Sequence, residues 1–163
     1  MPIAELKLTD DQHRWIEGWL ELWGAWVYSG RLEKRQSSVI AQFMERVEPG
    51  RVMSRPMCND DDGMLISQVV DSVMRIDTRS LGILLSYYAH GSSKRAIASY
   101  YHKAARPRKI DRGRLGEGWR KPSEEALRKE ISQILEATLY ILYTPLRNAF
   151  KSRKSVAKIK HVA

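Results

Sequence analysis

A chain of 163 residues, 43% of them apolar, can build one cored domain with appendages and is too apolar to be a disordered polymer. Its single cysteine, Cys58, excludes an intrachain disulfide and a cysteine-rich zinc site, and fits a reducing compartment. The net charge of +9 is gathered rather than spread: residues 103–122 hold eight Lys and Arg against two acids, residues 151–163 hold five against none, and the remainder stands at −2.

A near-neutral body carrying two basic segments is the charge pattern of a phosphate-binding protein, since each neutralised phosphate releases counterions. A merely solvated charged surface is the competing reading. Glu17, Gly18, Glu21 and Gly24 interrupt the apolar N-terminal stretch, so no run reaches the ~18 residues of a membrane span, and a soluble intracellular protein is expected.

In chain order, Thr9 reads as an N-cap, with Asp10 and Asp11 complementing the dipole of the helix that follows. Trp15, Trp19, Leu22 and Trp26 form one stripe of that helix and Ile16, Leu20, Trp23 and Val27 its neighbour. Tryptophans at helical spacing predict a core or an interface, in preference to a base-stacking surface. Residues 37–47 predict a short helix with Ile40, Phe43, Met44 and Val47 facing inward, ended by a loop around Pro49, Gly50 and Pro56. Asp60, Asp61 and Asp62 precede a periodic run of Leu65, Ile66, Val69, Val70 and Val73. Neighbouring carboxylates at a helix start serve capping and the helix dipole more readily than they converge on one ion.

Residues 77–90 and 93–102 predict a helix, a turn at Gly91 and a second helix capped by Ser92 or Ser93, the pattern of a helix-turn-helix. Residues 103–122 contain two prolines and three glycines and predict a basic loop or arm that orders on binding. Ser123 then caps a strong helix with Leu127, Ile131, Ile134, Leu135, Thr138 and Leu142 on one face, continuing with a kink at Pro145 through Phe150. The last dozen basic residues are expected to fray. With no alternating run bounded by hairpin turns, the expected fold is all-α. It is a compact helical domain made of an N-terminal part (1–76), a helix-turn-helix part (77–150) with its basic insertion, and a basic tail (151–163).

Four stretches together carry a family resemblance: Trp23-Gly24-Ala25-Trp26; Ile40-Ala41-Gln42-Phe43; Cys58-Asn59-Asp60-Asp61-Asp62-Gly63; and Tyr87-Tyr88-Ala89-His90-Gly91-Ser92-Ser93-Lys94-Arg95-Ala96-Ile97-Ala98. In this order and spacing, over roughly residues 20–140, they resemble the late-gene antitermination protein Q of lambdoid bacteriophages, in the group that includes the phage 21 and phage 82 proteins. The helix-turn-helix also looks like region 4 of bacterial sigma factors, the promoter-reading domain. In that register residues 93–102 are the scaffold and the helix from Ser123 is the reading helix. The basic insertion replaces a turn that normally has ~3 to 4 residues.

The resemblance implies a protein that binds a specific DNA element at the phage late promoter and loads onto paused RNA polymerase held with its sigma factor. The polymerase then reads through terminators, the protein lining and narrowing the RNA exit path. It implies double-stranded DNA, polymerase and sigma factor as partners, allows nascent RNA as another, and places the protein in the host cytoplasm on the nucleoid. A helix-turn-helix regulator or sigma-like factor without antitermination activity is the alternative.

The candidate DNA-binding residues are Lys94, Arg95, Ser123, Arg128 and Lys129, with Arg128 and Lys129 nearest the base edges or phosphates and Lys94 and Arg95 positioning the backbone. The candidate arm contacts are Lys103, Arg106, Arg108, Lys109, Arg112, Arg114, Arg120 and Lys121. His13, His90, His102 and His161 show no metal or triad spacing, so neither an enzyme nor a metal or cofactor is expected. An oligomerisation module built on the tryptophan helix is the third class considered.

Overall fold

The computed structural model describes residues 7–30, 40 and 55–162, with side chains as far as Lys154. Helix α1 (Asp10–Tyr28) opens on a reciprocal cap in which Thr9 accepts from the Gln12 amide and the Gln12 side chain accepts from the Thr9 amide. Its inner face buries Ile16, Leu20, Trp23, Trp26 and Val27, so the core reading of the tryptophan stripe holds for the two innermost rings. Each buried indole N–H has an acceptor: Trp23 donates to the Ser67 hydroxyl at 3.0 Å and Trp26 to Asp60 Oδ1 at 2.9 Å. Trp15 and Trp19 are half-buried and pack on Tyr143 and Phe150, with ring centroids 4.7 to 6.0 Å apart.

Helix α2 (Asp60–Met74) is capped by Asn59, which accepts from the Asp62 amide. The three aspartates occupy its first turn, as the dipole reading expects, and part company: Asp60 serves Trp26 while Asp62 accepts from Arg153 at 2.5 Å. Gly63 lets α1 and α2 approach, since a Cβ there would lie 2.4 Å from the Trp26 ring. Of the helix expected at 37–47, Ile40 is helical and fully buried; the other residues, and the loop at Pro49 and Gly50, lie outside the described residues.

Asp77 caps α3 (Thr78–Tyr88), which buries Leu81, Ile83, Leu84, Leu85 and Tyr88. The chain leaves α3 through Gly91 at φ +69, and Ser93, accepting from the Ala96 amide, caps α4 (Lys94–Ala104). The helix, glycine turn and helix expected here are present.

Helix α5 (Glu124–Val162) binds the rest together, its stripe of Leu127, Ile131, Leu135, Leu139, Leu142, Leu146 and Phe150 joining one core with α1 to α4. One expectation needs correction here. The helix continues through Pro145, as expected, but runs on to Val162 over the last dozen residues that were expected to fray. Proline removes one hydrogen bond of the ladder, and Leu142, Leu146 and Phe150, buried on either side of it, pack both turns into the core. No described helix is long and apolar enough to cross a membrane.

The all-α expectation also needs amending. Residues 108–120 form a two-stranded antiparallel hairpin, β1 (Arg108–Asp111) against β2 (Glu117–Arg120), closed by a 3-10 turn at Gly113–Leu115. Gly113 and Gly116, read as helix breakers in a loop, sit at positive φ and make the reversal.

Candidate nucleic-acid interface

The hairpin connects α4 to α5 and is fastened at its open end. Arg108 forms a two-pronged ion pair with Glu130, in the second turn of α5, at 2.6 and 3.2 Å. His102, near the end of α4, lies 3.1 Å from the Pro122 carbonyl oxygen through Nδ1. The arm is therefore a folded element mounted on α4 and α5, where a loop ordering only on binding was expected.

Strand alternation divides its side chains. The register pairs Arg108 with Arg120 and Ile110 with Gly118 on one face, and Lys109 with Trp119 and Asp111 with Glu117 on the other. On the first face the Arg112 guanidinium lies across Gly118, so closely that a Cβ at 118 would sit 2.0 Å from it. On the second face Lys109 pairs with Glu117 at 2.7 Å, leaving Trp119 69% exposed beside a balanced ion pair. At the closed end Arg114 and Leu115 point into solvent. Of the arm's eight cations, Arg108 and Lys109 are neutralised; Lys103, Arg106, Arg112, Arg114, Arg120 and Lys121 enter no ion pair among the described residues.

The helix-borne candidates fall into two groups. Lys94 is half-buried, its ammonium 5.9 Å from the Tyr87 ring centroid, and Arg95 beside it is exposed. At the other end of α4, about 12 Å along the axis by helical rise, Ser123 meets the arm's exit and accepts from the Ala126 amide at 3.1 Å. Lys129 stands 4.0 Å from Glu125, while Arg128 is exposed and unpaired among the described residues. Glu124 and Glu125 are exposed in the first turn, so the start of α5 is locally acidic and the free positive charge beside it comes from Arg128 and the hairpin.

Two parts of this arrangement have only a faint signal in the sequence. Glu130 reads as one more exposed charge on α5, although it fixes the arm. Trp119 is hidden in a segment dominated by charge and glycine, although it is the hairpin's one large exposed aromatic. The assembled surface can hold a polyanion by charge and by side-chain hydrogen bonds.

The family described as phage antitermination protein Q matches residues 13–119. Over 99 residues the chain is 34% identical to the probable antitermination protein Q of Acyrthosiphon pisum secondary endosymbiont phage 1, covering 60% of this chain and 62% of that protein. The chain thus spans under two thirds of the length of this curated relative. Among solved structures, the bacteriophage 21 Q protein is 66% identical with a TM-score of 0.81, covering 91% of this chain and 99% of that one. Transcription antitermination factor Q21 in complex with Q21-binding-element DNA is 69% identical with a TM-score of 0.85, covering 92% and 99%.

Proposed function

Because the chain belongs to the phage antitermination protein Q family, we propose that it is a phage transcription antitermination factor that binds a specific DNA element at the late promoter. It then loads onto RNA polymerase paused with its sigma factor and carries the polymerase past terminators. The observation that carries this reading is a fastened hairpin with unpaired cations, in a chain 69% identical to a factor solved with its binding-element DNA.

In this reading α3, the Gly91 turn and α4 are the scaffold of a sigma-region-4-like helix-turn-helix, and the start of α5 enters the major groove. Arg128 reaches base edges or phosphates, with Lys129 next to it. Ser123 spends its acceptor on the cap and keeps its hydroxyl hydrogen for a phosphate. Arg95 positions the backbone more freely than Lys94, whose ammonium already rests over Tyr87. The N-terminal part (1–76) supplies the support and the basic tail (151–163) further charge. Readthrough requires no bond-making centre, because a bound protein that lines and narrows the RNA exit path stops the terminator hairpin from forming. The site of action is the host cytoplasm, on the nucleoid, with nascent RNA passing close by.

In vitro transcription past an intrinsic terminator, with and without upstream phage late-promoter DNA, tests this. Readthrough that depends on that DNA is expected. Sequence-specific DNA binding with termination unchanged would instead leave a helix-turn-helix regulator or sigma-like factor.

A further inference from the structure

We propose that the Arg108–Arg120 hairpin is a wing, whose closed end, braced by Arg112 lying back across Gly118, places Arg114 in the minor groove of the same duplex that the start of α5 reads. This rests on the DNA-binding reading above. The pair Arg108–Glu130 and the contact of His102 with Pro122 hold the open end of the hairpin against α5 and α4, so the closed end keeps a set distance from the start of α5.

That distance suits a duplex. Four residues of strand at about 3.4 Å each carry the tip roughly 14 Å beyond the clamp, before the length of an arginine side chain is added. Adjacent major and minor grooves of B-DNA are separated by about half of a ~34 Å helical turn, roughly 17 Å. The ribbon itself, with strands ~4.8 Å apart plus their side chains, is too wide for a minor groove of ~6 Å, so only single side chains at the tip can enter. The tip is Arg112, Gly113, Arg114, Leu115 and Gly116; Arg112 folds back across Gly118, which leaves Arg114, exposed and unpaired among the described residues, as the side chain that can enter. Guanidinium, weakly hydrated and always charged, is the group best suited to the negative potential of a narrow A·T-rich minor groove.

The distribution of charge favours duplex DNA over a single-stranded transcript. Proteins that hold single strands interleave aromatic platforms with cations along one groove. Here Trp119 lies on the face of the Lys109–Glu117 ion pair and Asp111, while Arg108, Arg112 and Arg120 belong to the opposite face. A base stacked on Trp119 would have its phosphate beside a face of net negative charge.

The test uses the full chain and a duplex selected by it from a random-sequence pool, made again with diaminopurine for adenine, which adds an amino group to the minor groove and leaves the major groove donors and acceptors in place. The wild type is expected to lose about tenfold or more in affinity when the substitution falls where the tip lies. The double variant Arg112→Ala/Arg114→Ala should bind more weakly and be indifferent to the substitution. Glu130→Gln keeps every cation of the hairpin but loosens the clamp, and should lose hydroxyl-radical protection of that minor groove while keeping protection by α5. Unchanged affinity and unchanged diaminopurine response in the double variant overturn the wing. So does a double variant that keeps the wild-type footprint yet fails to give readthrough, which would move the tip to RNA. If the wild type selects no duplex at all, the DNA-binding reading falls and the wing with it.

Discussion

The tryptophan-lined body and the basic hairpin differ in what holds them in place. In the body Trp23 and Trp26 are fully buried and each indole N–H is matched to an acceptor on α2, so position is set by shape, apolar burial and paired polar groups together. In the hairpin only Gly118 is buried, and orientation depends on one exposed ion pair to Glu130 and the contact of His102 with the Pro122 carbonyl. Exposed ion pairs stabilise weakly, so the hairpin can change its residues at little cost to folding. Under the proposed function, stability and recognition thereby fall to different residues.

The largest expected effect tests the body's side of this division. Trp23→Ala removes a fully buried ring and the donor to the Ser67 hydroxyl, which keeps its own bond to the Gly63 carbonyl, and should cost about 3–5 kcal/mol in urea unfolding. A loss below about 1 kcal/mol would show that the ring is not core. Gly24→Ala comes next: its Cβ would lie 2.1 Å from the Tyr88 carbonyl oxygen, a backbone atom that cannot step aside alone. A destabilisation of about 1–3 kcal/mol is expected, and a neutral result would mean that α1 and α3 do not approach this closely at Gly24.

On the hairpin's side, Arg108→Ala should shift unfolding by no more than about 1 kcal/mol, yet weaken binding to duplex DNA by more than Lys109→Ala does. Equal effects of the two variants on binding would remove the clamp from the mechanism.

The smallest effect is one of pH. Burial first, and then the Arg55 charge, hold the His90 imidazole below its ordinary 6.5. The neutral ring therefore adds stability that is fully present above pH 6.5 and is lost as pH falls through the lower value of the folded state. His90→Gln should flatten this part of the stability profile without altering the salt dependence of DNA binding. An unaltered profile would place the titration elsewhere.

Much of the body was legible in the sequence because its signals are local. Thr9, Ser93 and Ser123 cap the helices they were expected to cap, Gly91 turns where a turn was read, and the tryptophan spacing of 3 and 4 foretold the buried stripe. The helix was read through Pro145, which buried leucines flank on both sides, but its run past Phe150 was not, because the closing residues are mostly basic and carry little apolar periodicity. The hairpin was hidden for a different reason. Its strands are four residues each, mostly charged, and interrupted by glycine, so alternation left almost no hydrophobic signature. The sequence showed the eight cations of the arm. It could not show which two are neutralised, because the partner of Arg108 lies 22 residues away on another element.

The most direct test of this division of labour is the salt dependence of duplex affinity for a chain carrying Arg106→Gln, Arg112→Gln, Arg114→Gln and Arg120→Gln, with urea unfolding measured in parallel. The slope of log affinity against log salt should become shallower by about 0.9 for each phosphate contact removed, with the unfolding free energy unchanged within about 0.5 kcal/mol. A slope equal to that of the wild type, or a binding loss that merely follows a loss of folding, would contradict it.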